Sequence, residues 1–82
     1  MQSNEIKPID ARRFTEIYSS LSKTESQELN SAIVGKTGCT KMAVSFWGRG
    51  IRTPHTLSVK RDIVDCLRKV LGIRTTTITL FP

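Results

Sequence analysis

The stretch from Asn30 to Arg49, NSAIVGKTGCTKMAVSFWGR, decides how this chain folds. Ile33 and Val34 belong to one amphipathic segment, Gly38 interrupts it, and Thr40 opens another that carries Met42, Val44 and Trp47. Glycine enters the left-handed conformation without a steric penalty, so Gly38 ends the first helix. Threonine is a preferred N-cap, so the next helix starts at Thr40. Helices joined by so short a turn cross at a steep angle. That crossing needs Ile33 from the first helix, Val44 and Trp47 from the second, and Cys39 plugging inward between them. The second helix is brief, because Gly48-Arg49-Gly50 closes it after about two turns.

Upstream, Thr24 with Gln27 has the form of a capping box and opens the helix that Gly38 ends, with Leu29 on its apolar side. Gly35 within it costs about 1 kcal/mol relative to alanine. Before the break at Ser22-Lys23-Thr24, Phe14, Ile17, Tyr18 and Leu21 recur at i, i+3, i+4, i+7 and predict a helix over 10–21 with Asp10 as its cap. Residues 1–9 read as a flexible arm. Downstream, Ile51-Arg52-Thr53-Pro54 is an extended loop, since proline disfavours helix in the residue before it. Thr56 or Ser58 caps a fourth helix with Ile63, Cys66, Leu67, Val70 and Leu71 on one face, ended by Gly72. Residues 74–82 are rich in β-branched side chains, with Ile78 and Leu80 in alternation, and predict a strand. A lone strand cannot satisfy its own backbone, so it calls for a partner strand, most simply from a second copy of the chain. The expected fold is all-α: four helices in a domain spanning 10–73, followed by a C-terminal β-strand over 74–82 that pairs within the chain or across a dimer.

At 82 residues the chain holds one domain, and a domain of this size buries only about 60 % of its unfolded surface, so dimerisation would help it. No run approaches the roughly 18 apolar residues of a membrane span. The N-terminus has no apolar secretory core. A cytoplasmic location is expected. Cys39 and Cys66 form no CxxC, and His55 is the sole histidine. That set is too poor for a closed zinc site, and neither metal nor cofactor is expected. Apolar neighbours favour buried free thiols over a disulfide. The net charge of +6 is unevenly placed. Between residues 29 and 61 stand Lys36, Lys41, Arg49, Arg52, Lys60 and Arg61, with no acid, while the flanking segments are nearly balanced. Clustered cations of this kind are the footprint of a polyanion partner.

The helix–glycine–helix pattern meets the demands of a DNA-binding helix-turn-helix, whose second helix lies in the major groove while the first crosses the backbone. Over residues 24–73 the chain resembles the lambda-repressor and Cro-like helix-turn-helix proteins, often called the XRE family. Asn30 to Arg49 overlays the family's motif with Gly38 at the turn, Val44 as aliphatic anchor and Trp47 at the position where tryptophan is common. The basic loop Arg49-Gly50-Ile51-Arg52-Thr53-Pro54 and the closing Leu71-Gly72-Ile73 follow in the family's order. The chain departs from the pattern at Val34, where the family prefers alanine, at Thr37, where it prefers an apolar residue, and at Gly48, where an acid is usual.

The resemblance implies a sequence-specific regulator of transcription, of phage, plasmid or mobile-element type, that binds double-stranded DNA as a homodimer. Its groove-facing residues would be Thr40, Lys41, Met42, Ser45, Phe46 and Arg49. Lysine and arginine donate to guanine, Thr40 and Ser45 bond base edges or phosphates, and Met42 or Phe46 would touch a thymine methyl. Met42 competes for this role with a place in the core. Asn30, Lys36, Arg52 and His55 would contact phosphates and position the protein. No carboxylate pair, nucleophile–base set or nucleotide-binding glycine loop appears, so no enzymatic activity is expected. The rival reading is a protein-interaction module, such as an antitoxin or phage adaptor that retains a helix-turn-helix. Non-specific RNA binding is weaker, with only Phe46, Trp47 and His55 available to stack.

Overall fold

The computed structural model describes residues 8–82. Five helices follow one another: α1 (Phe14–Ser20), α2 (Lys23–Thr37), α3 (Lys41–Arg49), α4 (Leu57–Leu71) and α5 (Thr77–Leu80). No strand occurs among the described residues. Helix α2 packs against α4 and α3, α1 packs against α3, and α5 closes on α4. The core draws Phe14 and Ile17 from α1, Leu29 and Ile33 from α2, Val44 and Trp47 from α3, Ile63, Cys66 and Leu67 from α4, and Leu80 from α5. Each such side chain contributes roughly 1.5–3 kcal/mol on burial. Both cysteines are free, Cys66 buried and Cys39 half-buried. No helix among the described residues is long and apolar enough to cross a membrane.

Several helix ends lie where the sequence reading did not put them. Helix α1 begins at Phe14 behind Arg13, and Asp10 does not cap it. The Asp10 carboxylate is taken by Arg12, whose backbone N–H donates to Oδ1 at 3.0 Å and whose guanidinium donates to Oδ2 at 2.8 Å. These bonds, the side-chain one foremost, hold the Asp10 carboxyl below its ordinary pKa against the opposing effect of burial. Helix α2 is capped by Ser22, whose hydroxyl accepts from Glu25 N while Glu25 accepts from Ser22 N. This capping box lies two residues earlier than Thr24 with Gln27, and an acid beats an amide beside a helix N-terminus. Thr56 caps α4, the first of the two candidates.

The C-terminal strand is replaced by a helical turn. Thr76 Oγ1 accepts from Thr79 N, and Leu80 N and Phe81 N donate back to Thr76 O and Thr77 O. Leu80 is buried and Ile78 is 78 % exposed. Phe81 meets the ring of Phe14 at 5.5 Å between centroids. Capping and the burial of one leucine outweigh the extended preference of the threonines, which is weak and yields to context. A strand pairing across a dimer therefore has no basis. The arm expected over 1–9 lies outside the described residues up to Lys7. From Asp10 on, the segment is tied down, with Asp10 N donating to Arg74 O at 2.7 Å and Thr75 Oγ1 to Asp10 O at 3.3 Å.

Candidate nucleic-acid interface

The turn between α2 and α3 is built from local hydrogen bonds. Gly38 sits at φ +76°, the left-handed region that favours glycine, and its N–H donates to Val34 O. Thr37 explains its own departure from an apolar residue: Oγ1 donates to Ile33 O at 2.7 Å and accepts from Cys39 N at 3.1 Å. The hydroxyl thus satisfies groups that the end of α2 would leave open. Val34 is accommodated half-buried beside the core.

Helix α3 starts from Thr40, whose hydroxyl accepts from Ala43 N at 3.1 Å. At about 100° per residue, Ala43, Val44, Trp47 and Gly48 occupy one side of the helix, and Lys41, Met42, Ser45, Phe46 and Arg49 the other. Burial follows this division. Val44, Trp47 and Gly48 are buried, whereas Lys41, Met42 and Arg49 are exposed, with Ser45 and Phe46 half-buried. Met42, at 66 % exposure, belongs to the outer face and not to the core. No acid stands on α3 or in the loop after it.

Gly48 is dictated by a neighbour. A Cβ built there would lie 2.5 Å from the ring of Tyr18. The acid usual at this position in the resembling family would meet α1. Tyr18 Oη also accepts from Asn30 Nδ2 at 2.9 Å, so α1, α2 and α3 meet at this ring.

Beyond α3, Gly50 turns the chain at φ +77°, and Ile51 N and Arg52 N both donate to Phe46 O. The loop folds back so that the Arg52 guanidinium lies 5.6 Å from the centroid of the Phe46 ring. Such a contact is worth about 0.5–1 kcal/mol near the surface. It gives the partly exposed phenylalanine a partner, and it holds a cation beside the outer face of α3.

The structure therefore gathers Lys41, Met42, Ser45, Phe46 and Arg49 on the outer side of α3, with Thr40 at its N-cap and Arg52 folded back onto Phe46. The other expected contacts are distributed differently. Lys36 Nζ pairs with Asp65 of α4 at 3.4 Å, and Asn30 is engaged by Tyr18. His55 is exposed in the loop beside Arg52, Thr53 and Pro54. Sequence reading passed over Arg13, which shares a groove with Arg52. No signal marked it, because 39 positions separate the two and Arg13 stands in a charge-balanced segment. Compared with family models, with curated proteins and with solved structures, the chain matches none of them.

Proposed function

We propose that this protein is a sequence-specific, double-stranded-DNA-binding regulator of transcription, of phage, plasmid or mobile-element type. In this reading α2 and α3 form a lambda-repressor-like helix-turn-helix, with α3 reading the major groove and α2 crossing the backbone. The observation that carries the reading is the division of α3: its inner face is spent on the core, and its outer face holds Lys41 and Arg49 with no carboxylate near in sequence. Lys41 and Arg49 donate to guanine or phosphate, Ser45 and the Thr40 hydroxyl to base edges, and Met42 offers an apolar contact to a thymine methyl. Arg52 and His55 sit where the flanking phosphates would run. The protein acts as a homodimer on a pseudo-palindromic operator with half-sites about 34 Å apart, through a surface other than a shared strand. It works by occupying DNA in the cytoplasm, without cofactor or catalytic step. The rival reading, a protein-interaction module, calls for an exposed strand and the polar N-terminal arm to bind a partner; α5 offers no strand edge, and the arm up to Lys7 lies outside the described residues.

The test is binding of the purified chain to the duplex upstream of its own gene, against scrambled duplex, by fluorescence anisotropy at several salt concentrations. Saturable binding to the upstream duplex that survives moderate salt and excess scrambled competitor is the expected result. Equal and steeply salt-dependent binding to both reduces the protein to a generic polyanion binder. Absence of binding at low salt turns attention to a protein partner.

A further inference from the structure

A groove of about 300 Å³ opens where the entry to α1, the loop after α3 and the end of α5 meet. Arg13 and Arg52 both line it, with Trp47, Phe14 and Phe81 among its walls; no aspartate or glutamate side chain lines it, and Pro82 with its main-chain carboxylate stands at its edge. Among the described residues neither guanidinium has a carboxylate within ion-pair distance. Arg52 rests on Phe46, and the Glu16 carboxylate accepts from the backbone N–H of Arg13. Two guanidinium groups lining one groove add to the same positive potential, which low-dielectric walls focus. An anion is drawn to that potential. The planar, forked donors of arginine match the oxygens of a phosphate better than a point charge does.

We propose that this groove seats a phosphate ester between Arg13 and Arg52. The phosphate belongs either to a nucleic-acid backbone, in which case the seat rests on the DNA-binding reading, or to a free mononucleotide. Arg13 is then a binding residue although it precedes α1 and lies far in sequence from the basic block. For the duplex, Arg52 belongs both to this groove and, through Phe46, to the outer side of α3, so the strand leaving the recognition helix would be held at a further point.

The experiment is NMR on the full chain, following the Arg Nε–H and Trp47 indole signals during titration with inorganic phosphate and with adenosine monophosphate. Wild type is compared with Arg13→Gln and Arg52→Gln, whose remaining spectra report whether each variant is folded. Saturable shifts of the Arg13, Arg52 and Trp47 signals, lost in either variant, are expected. In parallel, Arg13→Gln is measured on duplex DNA. A three- to tenfold loss of affinity, with the salt slope shallower by about 0.9, assigns the phosphate to the backbone. Unchanged duplex affinity with nucleotide shifts intact assigns it to a free nucleotide. Nucleotide shifts in a protein that binds no duplex keep the seat while overturning the DNA reading. Duplex binding indifferent to Arg13→Gln, together with no shift of these signals by either probe, overturns the seat and leaves the DNA reading standing.

Discussion

Gly48 is where a single atom matters most. Its missing Cβ is the space that the Tyr18 ring fills, so Gly48→Ala forces the ring or the helix to move. Overpacking of this kind costs roughly 1–3 kcal/mol, to be read as a lowered midpoint in urea denaturation. In a Tyr18→Ala background the same substitution should cost nearly nothing. Equal costs in both backgrounds would mean that the ring is not the obstacle. Asp10 makes a prediction about pH. Its carboxyl is held below the usual value near 3.9 by Arg12, so its contribution is complete above that value and fades as pH falls through the depressed one. The stability difference between wild type and Asp10→Asn should be flat around neutrality and shrink only below about pH 4. A difference that persists unchanged into stronger acid would show that the carboxylate contributes through something other than its charge. Neither residue's role could be read from the chain alone. Gly48 looked like part of a helix stop, and the acid two residues from an arginine looked like a helix cap.

At the scale of elements, legibility followed periodicity. The stripes of α1 and α4 predicted their buried residues, because repeated apolar positions at helical spacing leave few other faces to bury. The turn at Gly38 and the cap at Thr40 were legible for the same local reason. Helix starts were harder, since Ser22 and Thr24 both head a plausible capping box and only the observed bonds decide between them. Helix α5 was lost altogether. Four threonines and one isoleucine in a row, Thr75 to Thr79, imitate a strand, and what makes them a turn is tertiary: a place for Leu80 in the core and the ring of Phe14 against Phe81. Leu80→Ala is therefore expected to cost about 2–5 kcal/mol, and Ile78→Ala within about 0.5 kcal/mol of nothing. Comparable losses by thermal unfolding would point back to a sheet in which both faces are covered. The outer face of α3 was legible as a set of residues, whereas the partners of Asn30, Lys36 and Arg52 were not, because each lies on another element.

For the whole molecule, the proposed interface makes a graded forecast. Lys41→Ala or Arg49→Ala should cost roughly 1–3 kcal/mol of binding and relax the preference at one operator position where the side chain reads a base. Where it meets only phosphate, all duplexes should weaken alike and the salt slope fall by about one contact's worth. Selection from a random duplex pool separates the two outcomes. Retention of both affinity and sequence preference in the two variants would remove α3 as the reader. Sedimentation with and without the selected duplex then tests the homodimer, since a chain that remains one copy per duplex has no use for a palindrome.

The clasp between Asp10 and Arg74, reinforced by Phe14 against Phe81, also carries an expectation for how the fold would answer to force. Tension applied between residues 8 and 82 would load that clasp before anything else. Once it yields, α1 and α5 peel away as a short, weak step, and only then does the pull reach α2 packed on α4, which should give way last and at the highest force.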